Sequence, residues 1–156
     1  MPEREPPPFV LAQELAPLLV EMHWGIGGSL LLWKLGLEAN PKDLDIMTTA
    51  EHFDSVRQRL AQRLGEGVRT PHPSFRSTCF ARFESPGSAP VDLFAEVSVR
   101  RNDEVESWRF DPQHVEYWRG LPWMLPSAWL ELYKLFDRPE RVRALQGFLG
   151  DLGRSP

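Results

Sequence analysis

The order of apolar patterns along this chain predicts an α+β fold in which helices cover a central mixed sheet. Three observations carry the prediction. Helical and strand-like segments alternate through the first half, a cluster of strand-like segments follows, and two helical segments close the chain. Of 156 residues 42% are hydrophobic, enough for one core of ordinary size, with no internal boundary or repeat. Only one cysteine is present, Cys79, so no internal disulfide can form and the fold must rest on that core.

The elements follow in order. Residues 1–8, "MPEREPPP", read as a frayed tail, leaving one domain over 9–156. Leu11, Leu15, Leu18, Leu19 and Met22 recur at helical spacing, and Pro17 inside that pattern kinks or restarts the helix. "HWGI" is a short buried strand, "GGSLLLWKLGL" a turn leading into a helix, and "DLDIMT" a second strand. The next helix has Thr48 and Glu51 as a capping box, Phe53, Val56, Leu60 and Leu64 on its apolar face, and Gly65 as its stop. "GVRTPHPS" reads as irregular, "FRSTCFARF" as a strand and "VDLFAEVSV" as one strong strand. Residues 99–107 read as a loop, and "SWRF" and "HVEYW" as weaker strands. Ser127 caps a helix that runs to about Phe136. Pro139 opens the last one, whose buried face is Val142, Leu145, Leu149 and Leu152.

Charge and composition exclude some functions. The net charge of −4 lacks the basic balance of a nucleic-acid footprint. The first residues have no signal-peptide pattern, and no apolar run is long enough to span a bilayer, so the expectation is a soluble, cytoplasmic protein. Cys79 reads as a small buried residue, and the four histidines show no metal-ligand spacing.

The chemistry lies in "GGS", "DLD" and a later "VDLF". Strand side chains alternate, so Asp43 and Asp45 share one face while Leu44 and Ile46 enter the core. Asp92 stands apart from Val91 and Leu93 by the same rule. If the two strands are neighbours, three carboxylates converge, and like charges at that distance raise one another's pKa. A divalent cation removes the conflict, and carboxylate oxygens suit Mg²⁺. Gly27 and Gly28 allow close approach of a ligand to the backbone ahead of a helix start, where free N–H groups favour an anion; Ser29 adds a hydroxyl.

This ordered set, "GIGGSLLLWKLGLEANPKDLDIMT" followed by "PVDLFAE", resembles the nucleotidyltransferase superfamily of the DNA polymerase β type. Fourteen residues separate Gly28 from Asp43, close to that family's spacing. "GLPWMLPSAWLELYKLFDRPERVRAL" is similar to the closing segment of small antibiotic nucleotidyltransferases and of AbiEii-type toxins, so the resemblance spans about residues 15–150. It implies a nucleotidyltransferase fold and transfer of a nucleoside monophosphate from an NTP to a hydroxyl, with Mg²⁺ or Mn²⁺ as cofactor and pyrophosphate as product. It also implies metal binding by Asp43, Asp45 and Asp92, with Asp92 as a candidate base, and triphosphate binding by Gly27, Gly28, Ser29 and Lys134. Lys42 either meets a phosphate or offsets the acids, and Lys134 equally pairs with Glu131 on the surface. Arg138, Arg141 and Arg143 form a phosphate-facing patch or an ordinary exposed surface. Where relatives carry Arg-x-Lys-Asp, this chain has Arg138, Pro139, Glu140 and Arg141, a departure that leaves room for a non-catalytic nucleotide-binding or antitoxin-like module. Glu96 is a fourth acid of the site or a rim residue. The aromatic cluster from Trp108 to Tyr133 either stacks a base or acceptor ring or belongs to the core. The acceptor is a small molecule, a protein or tRNA, and a second copy of the chain could complete the cleft.

Overall fold

The computed structural model describes residues 4–67 and 79–154. Helix α1 spans Pro7–Leu15, followed by a 3-10 turn Ala16–Leu19. Strand β1 is Trp24–Gly27, helix α2 Gly28–Lys34, strand β2 Leu44–Thr48 and helix α3 Phe53–Leu64. Strands β3 (Phe80–Phe83), β4 (Val91–Phe94), β5 (Glu96–Arg101), β6 (Glu104–Arg109), β7 (Val115–Trp118) and β8 (Leu121–Met124) follow. Helices α4 (Pro126–Leu135) and α5 (Pro139–Arg154) close the chain.

Six strands form one mixed sheet in the order β3-β4-β2-β1-β8-β7. β1 runs antiparallel to β2, β2 parallel to β4, and β3 antiparallel to β4. The central strands are buried. All four residues of β1 are covered, while Leu44 and Ile46 of β2 and Val91 and Leu93 of β4 alternate inward. They join one hydrophobic cluster with Phe9 and Leu15 of α1, Leu30 and Leu31 of α2, Val56 and Leu60 of α3, Trp129 and Leu132 of α4, and Leu145 of α5. The predicted α+β architecture with a central mixed sheet is therefore present. Among the described residues no helix is long and apolar enough to cross a membrane.

Several details differ from the sequence expectation. The first helix begins at Pro7, inside the segment read as a tail, with Pro6 and Pro8 buried. Proline suits the first helical turn, where its missing N–H has no partner to lose. The capping box is absent: Thr48 ends β2 and donates its hydroxyl to the His23 carbonyl at 2.6 Å, while α3 starts from His52 with no side-chain cap. Ser127 lies inside α4, which starts from Leu125 and Pro126. "VDLFAEVSV" is two strands, broken at Ala95, whose N–H donates to the Cys79 carbonyl at 3.1 Å. Cys79 itself is half-buried. β5 then leaves the main sheet and pairs with β6 in a separate hairpin, covering most of the segment read as a loop. β8 has no counterpart in the sequence expectation. Of the face assigned to α5, Leu145 is fully buried, Val142 and Leu149 are half-buried, and the Leu152 side chain lies outside the described residues. Most of "GVRTPHPS" and the first four residues of "FRSTCFARF" also lie outside them.

Candidate active site

Each glycine of the pair is required by a different neighbour. Gly27 ends β1, and a Cβ there would meet the Trp129 ring at 2.3 Å. Gly28 opens α2 at φ +65, a conformation that side chains disfavour, and a Cβ there would lie 1.9 Å from Asp45 Oδ2. The Asp45 carboxylate thus rests against the α-carbon of Gly28. Sheet register brings them together, since Gly27 is the cross-strand partner of Asp45. Ser29 follows, half-buried.

The same register delivers Asp92. β2 and β4 are parallel neighbours, and Asp45 and Asp92 are direct partners. Asp43 sits one residue ahead of β2. Burial, then the charges of Asp92 and Asp43, push the Asp45 carboxyl up to about 8, against the opposing pull of Arg82 and Arg141. Burial also raises Asp92, while the charge and hydrogen bond of Arg82 hold it down. The three aspartates therefore stand within electrostatic reach of one another.

Arg82 is the residue the sequence reading missed. Its Nη1 donates to both Asp92 oxygens at 2.9 and 3.0 Å and lies 3.6 Å from Asp43 Oδ2. Its Nε donates to Glu84 at 2.6 Å. The available signal was the alternation of "FARF", where Ala81 and Phe83 are buried and Arg82 points the other way. Antiparallel pairing of β3 with β4 sets Arg82 opposite Asp92, a fact that only the sheet order supplies.

A second contribution comes from the C-terminal helices. Arg141 on α5 bears on Asp45 electrostatically, lies 5.9 Å from the centre of the Tyr133 ring and approaches Glu38 at 3.9 Å. Tyr133 stands edge-on to Trp129 with ring centres 5.6 Å apart, and burial raises its hydroxyl pKa. Of the arginines considered as a phosphate patch, Arg141 is the one that reaches this neighbourhood.

Other predicted residues lie farther out. Lys42 is exposed beside Asp43. Lys134 is exposed and lines an open depression of about 270 Å³ with Glu106, Ser107, Trp108, Glu131 and Leu135, none of them an aspartate of the cleft. Glu96 belongs to the β5–β6 hairpin and pairs with Arg109 at 3.3 Å, because the chain breaks at Ala95 and carries it out of the Asp92 strand. Trp123, Trp129, Tyr133 and Phe110 are core residues, whereas Tyr117 and Trp118 are exposed.

Hard carboxylate oxygens, with the Asp45 and Asp92 carboxyls raised by burial and by neighbouring acids, fit a divalent cation. Among the described residues, however, no three of His, Cys, Asp and Glu are drawn close enough to enclose one. Arg82 meets part of the charge demand instead.

The central mixed sheet with its flanking helices matches that of nucleotidyltransferase-fold proteins. TM1012 of Thermotoga maritima, described as a putative nucleotidyltransferase, superposes with a TM-score of 0.66 at 17% identity, covering 92% of each chain. The lincosamide antibiotic adenylyltransferase LnuA, solved with lincomycin bound, gives 0.58 at 13% identity over 90% of this chain and 96% of its own. ANT(2'')-Ia in complex with adenylyl-2''-tobramycin gives 0.56 at 13% identity over 92% and 90%. No protein-family model matches the chain, and no curated protein matches it in sequence. The likeness is one of fold, and the chain has the nucleotidyltransferase fold.

Proposed function

We propose that this protein transfers a nucleoside monophosphate from an NTP to a hydroxyl-bearing acceptor. The observation that carries the reading is the juxtaposition of Asp45 with Gly28 on one side and Asp92 on the other. Gly28 and Ser29 would receive the triphosphate at the β1–α2 turn, where the missing Cβ of Gly28 lets the Asp45 carboxylate, and any cation it holds, lie against the main chain. Asp43, Asp45 and Asp92 would hold Mg²⁺ or Mn²⁺, which neutralises triphosphate charge and polarises the reacting phosphoryl group when bound. Arg141 adds positive charge from the α5 side.

The acceptor oxygen attacks the α-phosphorus in line. The new P–O bond forms as the bond to the β-phosphate oxygen breaks, and pyrophosphate leaves with that electron pair. The proton of the acceptor hydroxyl passes to Asp92, whose burial raises its affinity for a proton. The bound lincomycin of LnuA and the adenylyl-tobramycin of ANT(2'')-Ia favour a small hydroxylated acceptor over a protein or tRNA.

The test is a panel of α-labelled NTPs with Mg²⁺ or Mn²⁺ and a library of hydroxylated small molecules, read as pyrophosphate release and as label on the acceptor. Asp43→Ala is expected to abolish both signals and leave the far-UV spectrum unchanged. A wild-type rate in that variant would overturn the assignment. Nucleotide binding with no pyrophosphate release under any condition would return the non-catalytic module instead.

A further inference from the structure

We propose that Arg82 is an internal counter-ion of the acidic cleft, occupying the space between Asp92 and Asp43 until a divalent cation and a triphosphate enter together. This rests on the metal-binding reading above and adds to it a reason for coupled loading. One guanidinium nitrogen, Nη1, lies within 3.0 Å of both Asp92 oxygens and 3.6 Å from Asp43. A cation shared by those two carboxylates needs the same space, so Arg82 and the metal exclude one another there.

The other end of the guanidinium is tied outside the cleft. Glu84 holds Nε at 2.6 Å, with its own side chain 68% exposed. The guanidinium is thus tethered at the rim and can swing out without losing every partner. Arg82 lowers the negative charge of the cleft by one unit, so it weakens the pull on a free cation. An incoming triphosphate changes that balance. Guanidinium matches phosphate oxygens in geometry and charge, which gives the displaced arm a new partner. Metal and nucleotide then bind cooperatively, each helping the other past the same obstacle, and the coupling is reciprocal.

Mn²⁺ titration followed by electron paramagnetic resonance of the free ion tests this, with and without a non-hydrolysable NTP analogue. Arg82→Gln is expected to bind Mn²⁺ about tenfold tighter than wild type in the absence of nucleotide. Arg82→Lys, which keeps the charge, stays near wild type. The enhancement of Mn²⁺ binding by the analogue is expected to be larger in wild type than in Arg82→Gln. Circular dichroism checks the fold of each variant, and Arg82→Met takes the place of Arg82→Gln if that one is unfolded. If Arg82→Gln binds Mn²⁺ no tighter than wild type while Asp92→Asn abolishes binding, the Arg82 role fails and the metal site stands. If Mn²⁺ binding is absent from wild type and Arg82→Gln both with and without the analogue, or survives both Asp43→Asn and Asp92→Asn, the metal reading fails and takes this inference with it.

Discussion

Gly28 shows at the smallest scale how a residue type becomes a site. Its φ of +65 costs a side-chain-bearing residue about 1–2 kcal/mol, and an added methyl would meet the Asp45 carboxylate. That carboxylate can rotate, so Gly28→Ala is expected to fold with a stability loss of that order yet lose nucleotidyl transfer, because Asp45 is turned out of place. Thermal denaturation alongside pyrophosphate release checks the pair of outcomes, and full activity in a stable variant would sink the argument. Asp45 itself carries a pH prediction. Its carboxyl rises from 3.8 to about 8 on folding of the metal-free protein. Between those values the folded chain holds a proton that the unfolded chain has released, so increasing pH favours unfolding. The contribution is fully present below 3.8 and is lost as pH rises through about 8. Melting curves in EDTA from about pH 5 to 8.5 are expected to fall more steeply for wild type than for Asp45→Asn. Parallel curves would show that Asp45 is ionised without penalty. This much of the site was legible in sequence, since "DLD" and "VDLF" announce their faces by alternation alone. Arg82 was not, because a lone arginine in "FARF" acquires its meaning only from the strand beside it.

At the scale of elements, the strands with alternating apolar residues were readable and those built on turns or proline were not. β8 contains Pro122 and lies between β1 and β7, where a proline argues against a strand. It is accommodated because β8 touches β1 through the single register pair Ile26 and Trp123. The β5–β6 hairpin turns on Asn102 and Asp103, both at positive φ, as a two-residue loop requires. Its exposed strand "EVESWR" has no apolar face to betray it. The end of α4 is more instructive still. Asp137 sits at φ +55, its N–H donates to the Lys134 carbonyl at 3.2 Å, and the Arg138 N–H donates to the Tyr133 carbonyl at 3.0 Å. This is the left-handed stop that glycine normally supplies. Asp137→Gly is therefore expected to stabilise the protein by about 0.5–1 kcal/mol, roughly 1–4 °C in Tm for a chain of this size. An unchanged or lower Tm would mean that the aspartate side chain contributes more than its backbone costs.

Across the whole molecule, that stop decides where α5 begins and hence where Arg141 points. Arg138, Pro139, Glu140 and Arg141 form the turn into α5, and the helix aims one of those arginines back towards Asp45. No local pattern could have told Arg141 from Arg138 or Arg143, since all three are arginines near one helix start. What separates them is the packing of α5 through Leu145, fully buried in the common core, which turns Arg141 towards Tyr133 and Glu38. Positive charge at that point opposes the raised pKa of Asp45 and would meet the charge of an NTP. Arg141→Gln is expected to raise the KM for NTP about tenfold, with a smaller change in kcat, because a charge that binds substrate and transition state alike acts on binding. Arg143→Gln, on the same helix and exposed, is the control and is expected to leave both constants near wild type. Equal effects from the two variants would mean that α5 contributes only a diffuse field, and that the nucleotide is held by the β1–α2 turn and the aspartates alone.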